Sequence, residues 1–303
     1  MPAPTENLSA LITFTLPTSA LDHDESIYLT FPPPSERPTE TVRLSVTDLR
    51  PTLDGEQTPG EQLKERGYAA ARHKSEWVDE LPKEDGTERY LEETAAAMKE
   101  WLGCSYVIAW NSVVRKNQVG MPQKLVPKQQ GPEKGFVPTT RVQPVASVAH
   151  VDQNAILYLR HDCADNLQWG KELCGKAMGR SADEVKRAMI VNLWRPLHGP
   201  VTNAPLFVCP YPTLTPKDLG THASQYGFGH DIHHSPSQQW GYIRHQMPDE
   251  VLLLKCYDTA QGEDGSALYC GHVAGQVGEQ DWVDEEQGAA RESVEVRCVA
   301  VWE

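Results

Sequence analysis

A mainly β fold with flanking helices is what this sequence predicts, and three observations predict it. The C-terminal half carries short apolar runs of strand length: "MIVNLWRPL" (189–197), "PLFVC" (205–209), "WGYIR" (240–244), "EVLLLKCYD" (250–258), "SALYCGHV" (266–273) and "SVEVRCVAVW" (293–302). Gly, Pro and Asp punctuate these runs at close spacing, the pattern of an antiparallel sandwich or jelly roll. Helical periodicity is confined to the region before them, and neither internal repeats nor heptads appear.

In chain order, "ALITFTL" (10–16) and "SIYLTF" (26–31) read as short strands, followed by "PPPSERP", whose prolines cannot join a central ladder. This start reads as an arm or edge with no core of its own. Over 88–103, Tyr90, Leu91, Ala95, Met98 and Leu102 recur at steps of three and four, an amphipathic helix ending at Gly103. Residues 116–140 are rich in Lys, Gln, Gly and Pro and read as a long surface loop. Ser181 with Glu184 forms a capping box that opens a short helix running towards Met189. One domain over 1–303 is expected, with the arm and edge strands in 1–60, helices and loop in 61–140, and the jelly-roll core in 141–303.

The chain has 303 residues, 39% of them apolar, enough for a sizeable core. Its 28 basic and 42 acidic residues give a net charge of -14, which repels phosphate backbones and anionic membranes and excludes nucleic acid as the main partner. Seven cysteines, an odd number without a CxxC pair, indicate neither a disulfide framework nor a zinc ribbon. The first 25 residues lack a basic stretch and their apolar run breaks at Pro17, so neither a signal peptide nor a membrane span is read there. A cytoplasmic protein is expected, and a homodimer is compatible with everything above.

The chemistry concentrates in "VAHVDQNA" (148–155). In a strand, side chains two positions apart stand on one face roughly 6–7 Å apart, so His150 and Asp152 can lean onto one ion while Val151 points away. The H-x-[DE] pattern is weak alone, since His23-Asp24-Glu25 matches it in a polar turn. A 2-His-1-carboxylate facial triad needs a third ligand and leaves three coordination positions for substrates and oxygen. His272, at a strand end among small residues in "YCGHVAG", is the best candidate; without a partner it reads as a satisfied, half-buried histidine. The competitor is "GHDIHHS" (229–235), where His230, His233 and His234 are crowded enough for zinc in what reads as a mobile, solvated loop. In "AARESVEVRCVAVW", Arg291, Ser293, Glu295 and Arg297 alternate onto one face. Arg291 and Ser293 together can hold a carboxylate, or the face is simply the wet side of an edge strand.

The order His150-x-Asp152, "VNLWRPLHGPV", "MPDEVLLLKCYD", His272 and Arg291-Glu-Ser293 resembles fungal and bacterial non-haem iron, 2-oxoglutarate-dependent oxygenases of natural-product pathways. That family includes proteins similar to cephamycin methoxylation proteins, fungal gibberellin desaturases, a meroterpenoid endoperoxidase and the oxidases that close an aziridine ring on an amino acid. The likeness runs from about residue 63 to the C-terminus. It implies a double-stranded β-helix core with flanking helices, Fe(II) on His150, Asp152 and His272, and 2-oxoglutarate held by Arg291 and Ser293, with O2 as the second cosubstrate. It places Asn192, Trp194 and Arg195 near the cosubstrate or in the pocket wall, with plain core packing as the alternative for Trp194. The implied reaction removes hydrogen from a small amino-acid-derived or terpenoid precursor, giving hydroxylation, desaturation or oxidative ring closure. A zinc-binding jelly-roll hydrolase and a binding module with a vestigial metal site are the alternatives.

The sequence departs from the family pattern in the substrate region. "WNSVVRK" (110–116) carries Asn111 where relatives have histidine, with Arg115 retained. Gln238 precedes Trp240 where a histidine is common, and Val273 follows His272 where a hydroxyl residue is usual. Asn111, Arg115, Trp194 and Trp240 are the expected substrate-side residues, and Arg115 is suited to a substrate carboxylate.

Overall fold

The computed structural model describes residues 8–81, 84–117, 139–152, 161–224, 227–260, 265–278 and 290–303. In chain order these form β1 (Ser9–Thr15), β2 (Thr39–Asp48), α1 (Arg50–Leu53), α2 (Pro59–Arg66), β3 (Tyr68–Arg72), α3 (Glu84–Leu102), β4 (Tyr106–Lys116), β5 (Thr139–Pro144), β6 (His150–Val151), α4 (His161–Met178), β7 (Arg187–Pro196), β8 (Leu206–Cys209), β9 (Leu219–Ser224), β10 (Gly227–Ile232), β11 (Trp240–Tyr242), β12 (Glu250–Asp258), β13 (Gly271–Ala274), β14 (Gln276–Val277) and β15 (Glu292–Trp302). A six-stranded sheet has the order β3-β12-β7-β15-β4-β5, and a nine-stranded sheet has β14-β1-β2-β11-β8-β13-β6-β10-β9. The two face each other as a jelly roll with helices outside.

Strands β7, β12 and β15 are nearly continuous apolar runs because both of their faces are covered. On the outer face, Met189, Val191, Leu193, Val294, Val296 and Cys298 pack against Tyr90, Leu91 and Met98 of α3. The opposite face is divided along its length. At one end Ile190, Val299 and Val301 meet Leu167 and Cys174 of α4, which comes so close that a Cβ on Gly170 would lie 2.7 Å from a Val299 methyl. At the other end Trp194 meets Leu206, Val208 and Cys270 of the facing sheet, and there the polar residues of β7 and β15 collect.

The larger sheet encloses a core of its own. Thr15 bridges to His233, and the Ala149 amide donates to the Thr13 carbonyl at 2.8 Å, so β1 folds back towards β6 and β10. Ile12, Phe14, Phe207, Val273, Trp240 and Tyr242 fill the space within. The N-terminal strand is therefore not an edge arm: it lies between β14 and β2 and carries core side chains.

Other local expectations are corrected too. Residues 26–31 are not a strand; Glu25–Leu29 is a 3-10 turn, with the Asp24 carboxylate accepting from the Ser26 amide at 2.8 Å. The Ser181/Glu184 box exists, but it opens only the 3-10 turn Ala182–Glu184, and β7 begins at Arg187. "GHDIHHS" is largely strand β10 rather than a loop. The loop expected over 116–140 falls for residues 118–138 outside the described residues. Strand β2 and helix α4 had no counterpart in the sequence reading. Among the described residues, no helix is long and apolar enough to cross a membrane.

Candidate metal centre

Two strands of the larger sheet and the residue that follows one of them bring the donors together. His150 of β6 pairs directly with His272 of β13, so both imidazoles stand on the face turned to the smaller sheet, 4.3 Å between ring centroids. Asp152 follows where β6 ends. Its Oδ1 is 3.6 Å from His150 Nε2 and its Oδ2 is 3.7 Å from His272 Nε2. All three donor atoms lie within 4.8 Å of one another, close enough to share one divalent ion. His150 Nδ1 is 2.8 Å from the Val148 carbonyl, which fixes the proton on Nδ1 and leaves the Nε2 lone pair for a metal.

Electrostatics suit a cation. Burial, reinforced by His272, pushes the His150 imidazole down to about 4, so it is neutral and able to ligate at physiological pH. Burial works to raise the Asp152 carboxyl, but His272, His150, Arg297 and Arg115 outweigh it and hold the group well below the usual carboxylate range. The donor set, two imidazoles and one carboxylate, matches a facial triad for iron.

Facing the triad, β7 and β15 supply a polar wall. Asn192 Nδ2 donates to Asp152 Oδ2 at 2.8 Å and to Glu295 Oε1 at 3.2 Å. Glu295 is buried, with Arg297 Nε 3.7 Å from its Oε1 and Arg115 Nε 3.9 Å from its Oε2. A small pocket beside the two histidines is lined by Arg115, Trp194, Leu206, Ala274, Arg291 and Glu295 among others. Arg291 is 5% exposed, lies 5.3 Å from the Trp194 ring centroid and donates through Nη1 to the Ala204 carbonyl at 2.9 Å. Burial pushes its guanidinium down to about 9, still cationic at neutral pH. Arg291 Nε and Ser293 Oγ are buried without a hydrogen-bond partner among the described residues. Orphaned donors of this kind fit a carboxylate ligand.

The remaining expected residues separate. Trp194 serves both readings, packed with Leu252 and Leu254 while walling the pocket. Arg195 does not reach the pocket: strand alternation turns it to the α3 face, where it donates to Tyr90 Oη at 2.9 Å and to the His73 and Pro248 carbonyls at 2.8 and 2.5 Å. Trp240 is also displaced, packed edge-on against Phe14 inside the N-terminal core. Asn111 lies in β4, and its side chain falls outside the described residues. Arg115 lines the pocket and donates to the Pro144 carbonyl at 3.1 Å. His230, His233 and His234 do not converge: Thr221 lies beside His230 Nδ1 at 3.3 Å, Thr15 beside His233 Nδ1 at 3.0 Å, and His234 packs on Phe14. The role of Glu295 was missed, although alternation along β15 places it with Arg291 and Ser293.

Comparison with known proteins points the same way. A family model described as an oxidoreductase/YMDC permease-like domain matches residues 21–301. Hydroxylase/desaturase efuI of Hormonema carpetanum is 31% identical over 236 residues, covering 71% of this chain and 70% of that protein. Fe(II)/2-oxoglutarate-dependent dioxygenase nvfI of Aspergillus novofumigatus is 27% identical over 216 residues, covering 69% of this chain and 65% of that protein. A solved structure of the iron and alpha-ketoglutarate-dependent endoperoxidase NvfI superposes with a TM-score of 0.67 over 97% of each chain at 21% identity, a likeness of fold.

Proposed function

Because the chain belongs to the fungal family of iron- and 2-oxoglutarate-dependent hydroxylases and desaturases of natural-product biosynthesis, we propose that His150, Asp152 and His272 hold its Fe(II) and that Arg291 and Ser293 hold the distal carboxylate of 2-oxoglutarate. It is an oxidoreductase of the dioxygenase type, acting on a small molecule. The observation that carries the assignment of residues is the pairing of a His-Asp-His cluster with two buried, orphaned carboxylate donors across one small pocket. A zinc hydrolase would give those donors no task.

When bound, Fe(II) with 2-oxoglutarate and O2 supplies the oxidant that removes a hydrogen atom from a substrate carbon, yielding succinate and CO2 from the cosubstrate. The chain's own residues do the positioning. His150 and His272 present Nε2 from adjacent strands, so the separation of two ligands is set by sheet geometry. Asn192 holds Oδ2 of Asp152 and leaves Oδ1 for the metal, and Glu295 keeps the Asn192 amide turned the right way. Arg291 offers a charge-assisted hydrogen bond from a site that excludes water, which strengthens it. Trp194 backs that guanidinium and forms the wall beside it. On the far end of the same sheet face, α4 packs on Ile190, Val299 and Val301.

The substrate is a small amino-acid-derived or terpenoid precursor, and Arg115, at the pocket edge, is placed to meet an acidic group on it. The chain works as one oxygenase domain in the cytoplasm; its six described cysteines are all free and buried, as suits a reducing compartment. Anaerobic addition of Fe(II) and 2-oxoglutarate tests the reading: a metal-to-ligand charge-transfer absorption should appear and should be lost in His150→Ala. A full band in that variant would defeat it.

A further inference from the structure

Asp231 of β10 stands directly opposite His150 of β6, and His150 directly opposite His272 of β13. Directly opposite residues share a face, so His272, His150 and Asp231 form one row across the sheet. Two residues before Asp231 and on the same face, Gly229 pairs with His222 of β9. Continuing the β6–β10 register by one residue brings Gly229 level with Asp152. His222 thus lies in the row of one metal ligand, and the strand between them carries no side chain at that point.

The imidazole occupies the gap. A Cβ on Gly229 would lie 2.9 Å from both Cε1 and Nε2 of His222, so the ring lies across the glycine, and only glycine permits it. His222 Nδ1 is buried and lies 3.1 Å from Asp231 Oδ2, a close charge contact without hydrogen-bond alignment. Its side chain is 32% exposed overall, and with Nδ1 covered that exposure belongs to the remainder of the ring. A carboxylate this close to Nδ1 repels a lone pair there, so in the neutral ring the Nε2 edge is the one that can accept a hydrogen bond. The cosubstrate pocket is lined by Ala146, Arg291 and residues of β4, β6, β7, β8, β13 and β15, and no residue of β9 or β10 lines it.

We propose that His222, beside Asp231 and seated over Gly229, is a substrate-binding residue whose Nε2 accepts a hydrogen bond from an O–H or N–H group of the substrate. The inference rests on the oxygenase reading above and deepens it: the substrate carries a hydrogen-bond donor beside the carbon that is oxidised.

The test uses the full chain with Fe(II), 2-oxoglutarate and O2, and measures succinate formation. The probes are the common amino acids and a set of terpene alcohols, each beside its N,N,N-trimethyl or O-methyl counterpart, which lacks the donor. Compounds that raise succinate formation by the wild type are expected to carry the free donor, with capped counterparts raising it at least about tenfold less. His222→Phe should erase that preference, while His222→Gln, whose amide oxygen can accept at similar reach, should retain part of it. Equal stimulation by capped counterparts in the wild type, or an undiminished preference in His222→Phe, overturns the proposal. The anaerobic charge-transfer band of the wild type separates the two readings: its absence defeats the metal site itself, whereas either failure with the band present defeats the His222 assignment alone.

Discussion

The amide of Asn192 links Asp152 to Glu295, donating at 2.8 Å to the first and at 3.2 Å to the second. One side chain of the smaller sheet thereby fixes the orientation of the carboxylate proposed to bind the metal, which follows β6 of the larger sheet. Asn192→Ala should free Asp152 to rotate and weaken Fe(II) binding by about 10- to 100-fold, as read by anaerobic metal titration. Glu295→Gln, which keeps the shape but loses the charge, should cost less. Unchanged metal affinity in Asn192→Ala would show that the link is incidental.

Arg291 and Arg195 make a paired comparison, since both are buried and only one faces the pocket. Arg291→Gln should raise the 2-oxoglutarate concentration needed to saturate the charge-transfer band by roughly 10- to 100-fold, the loss of one charge-assisted hydrogen bond of about 1.5–3 kcal/mol. Arg195→Met should leave that concentration unchanged and lower the melting temperature, because it breaks bonds to Tyr90, His73 and Pro248. Equal effects on cosubstrate binding would contradict the assignment of faces.

Much of this arrangement is written in the sequence and some of it is not. The apolar runs of β7, β12 and β15 are legible because strands covered on both faces must be apolar throughout. The His150/Asp152 spacing is legible because two polar side chains one strand repeat apart leave a local pattern. The family resemblance places Arg195 with Asn192 and Trp194, although an odd separation in a strand puts side chains on opposite faces. Helix α4 is hard to read because one of its buried positions is Gly170, which carries no side chain to mark an apolar stripe. The N-terminal core is invisible locally: it depends on β1 returning to β6 and β10, a contact more than a hundred residues away in sequence.

Acid stability should report the ion pairs at the far end of β12. Asp258 is fully buried, with Arg187 Nη2 2.6 Å and Lys255 Nζ 2.9 Å from its Oδ2. Burial alone would raise its carboxyl, but Arg187 and Lys255 hold it below the ordinary value of an aspartate. A carboxylate depressed in the folded state stabilises the fold above its unfolded pKa and loses that contribution as pH falls through the folded value. Asp258→Asn should therefore melt well below the wild type at pH 7, with the gap narrowing as pH drops below about 4. A gap independent of pH would show that packing, not charge, sets the loss.

Gly170 allows α4 to approach β15, and any side chain there meets Val299. Gly170→Leu should destabilise the fold by about 1–3 kcal/mol in denaturant titration, the usual cost of overpacking. A neutral result would mean that α4 shifts freely on the sheet.

The claim on which the rest depends is that one ion is bound by ligands from β6, the residue following it and β13. Anomalous diffraction at the iron edge, from crystals grown anaerobically with Fe(II) and 2-oxoglutarate, tests it most directly. The account predicts a single strong peak bonded to His150 Nε2, Asp152 Oδ1 and His272 Nε2. A peak among His230, His233 and His234, or none within bonding reach of His272, would contradict it.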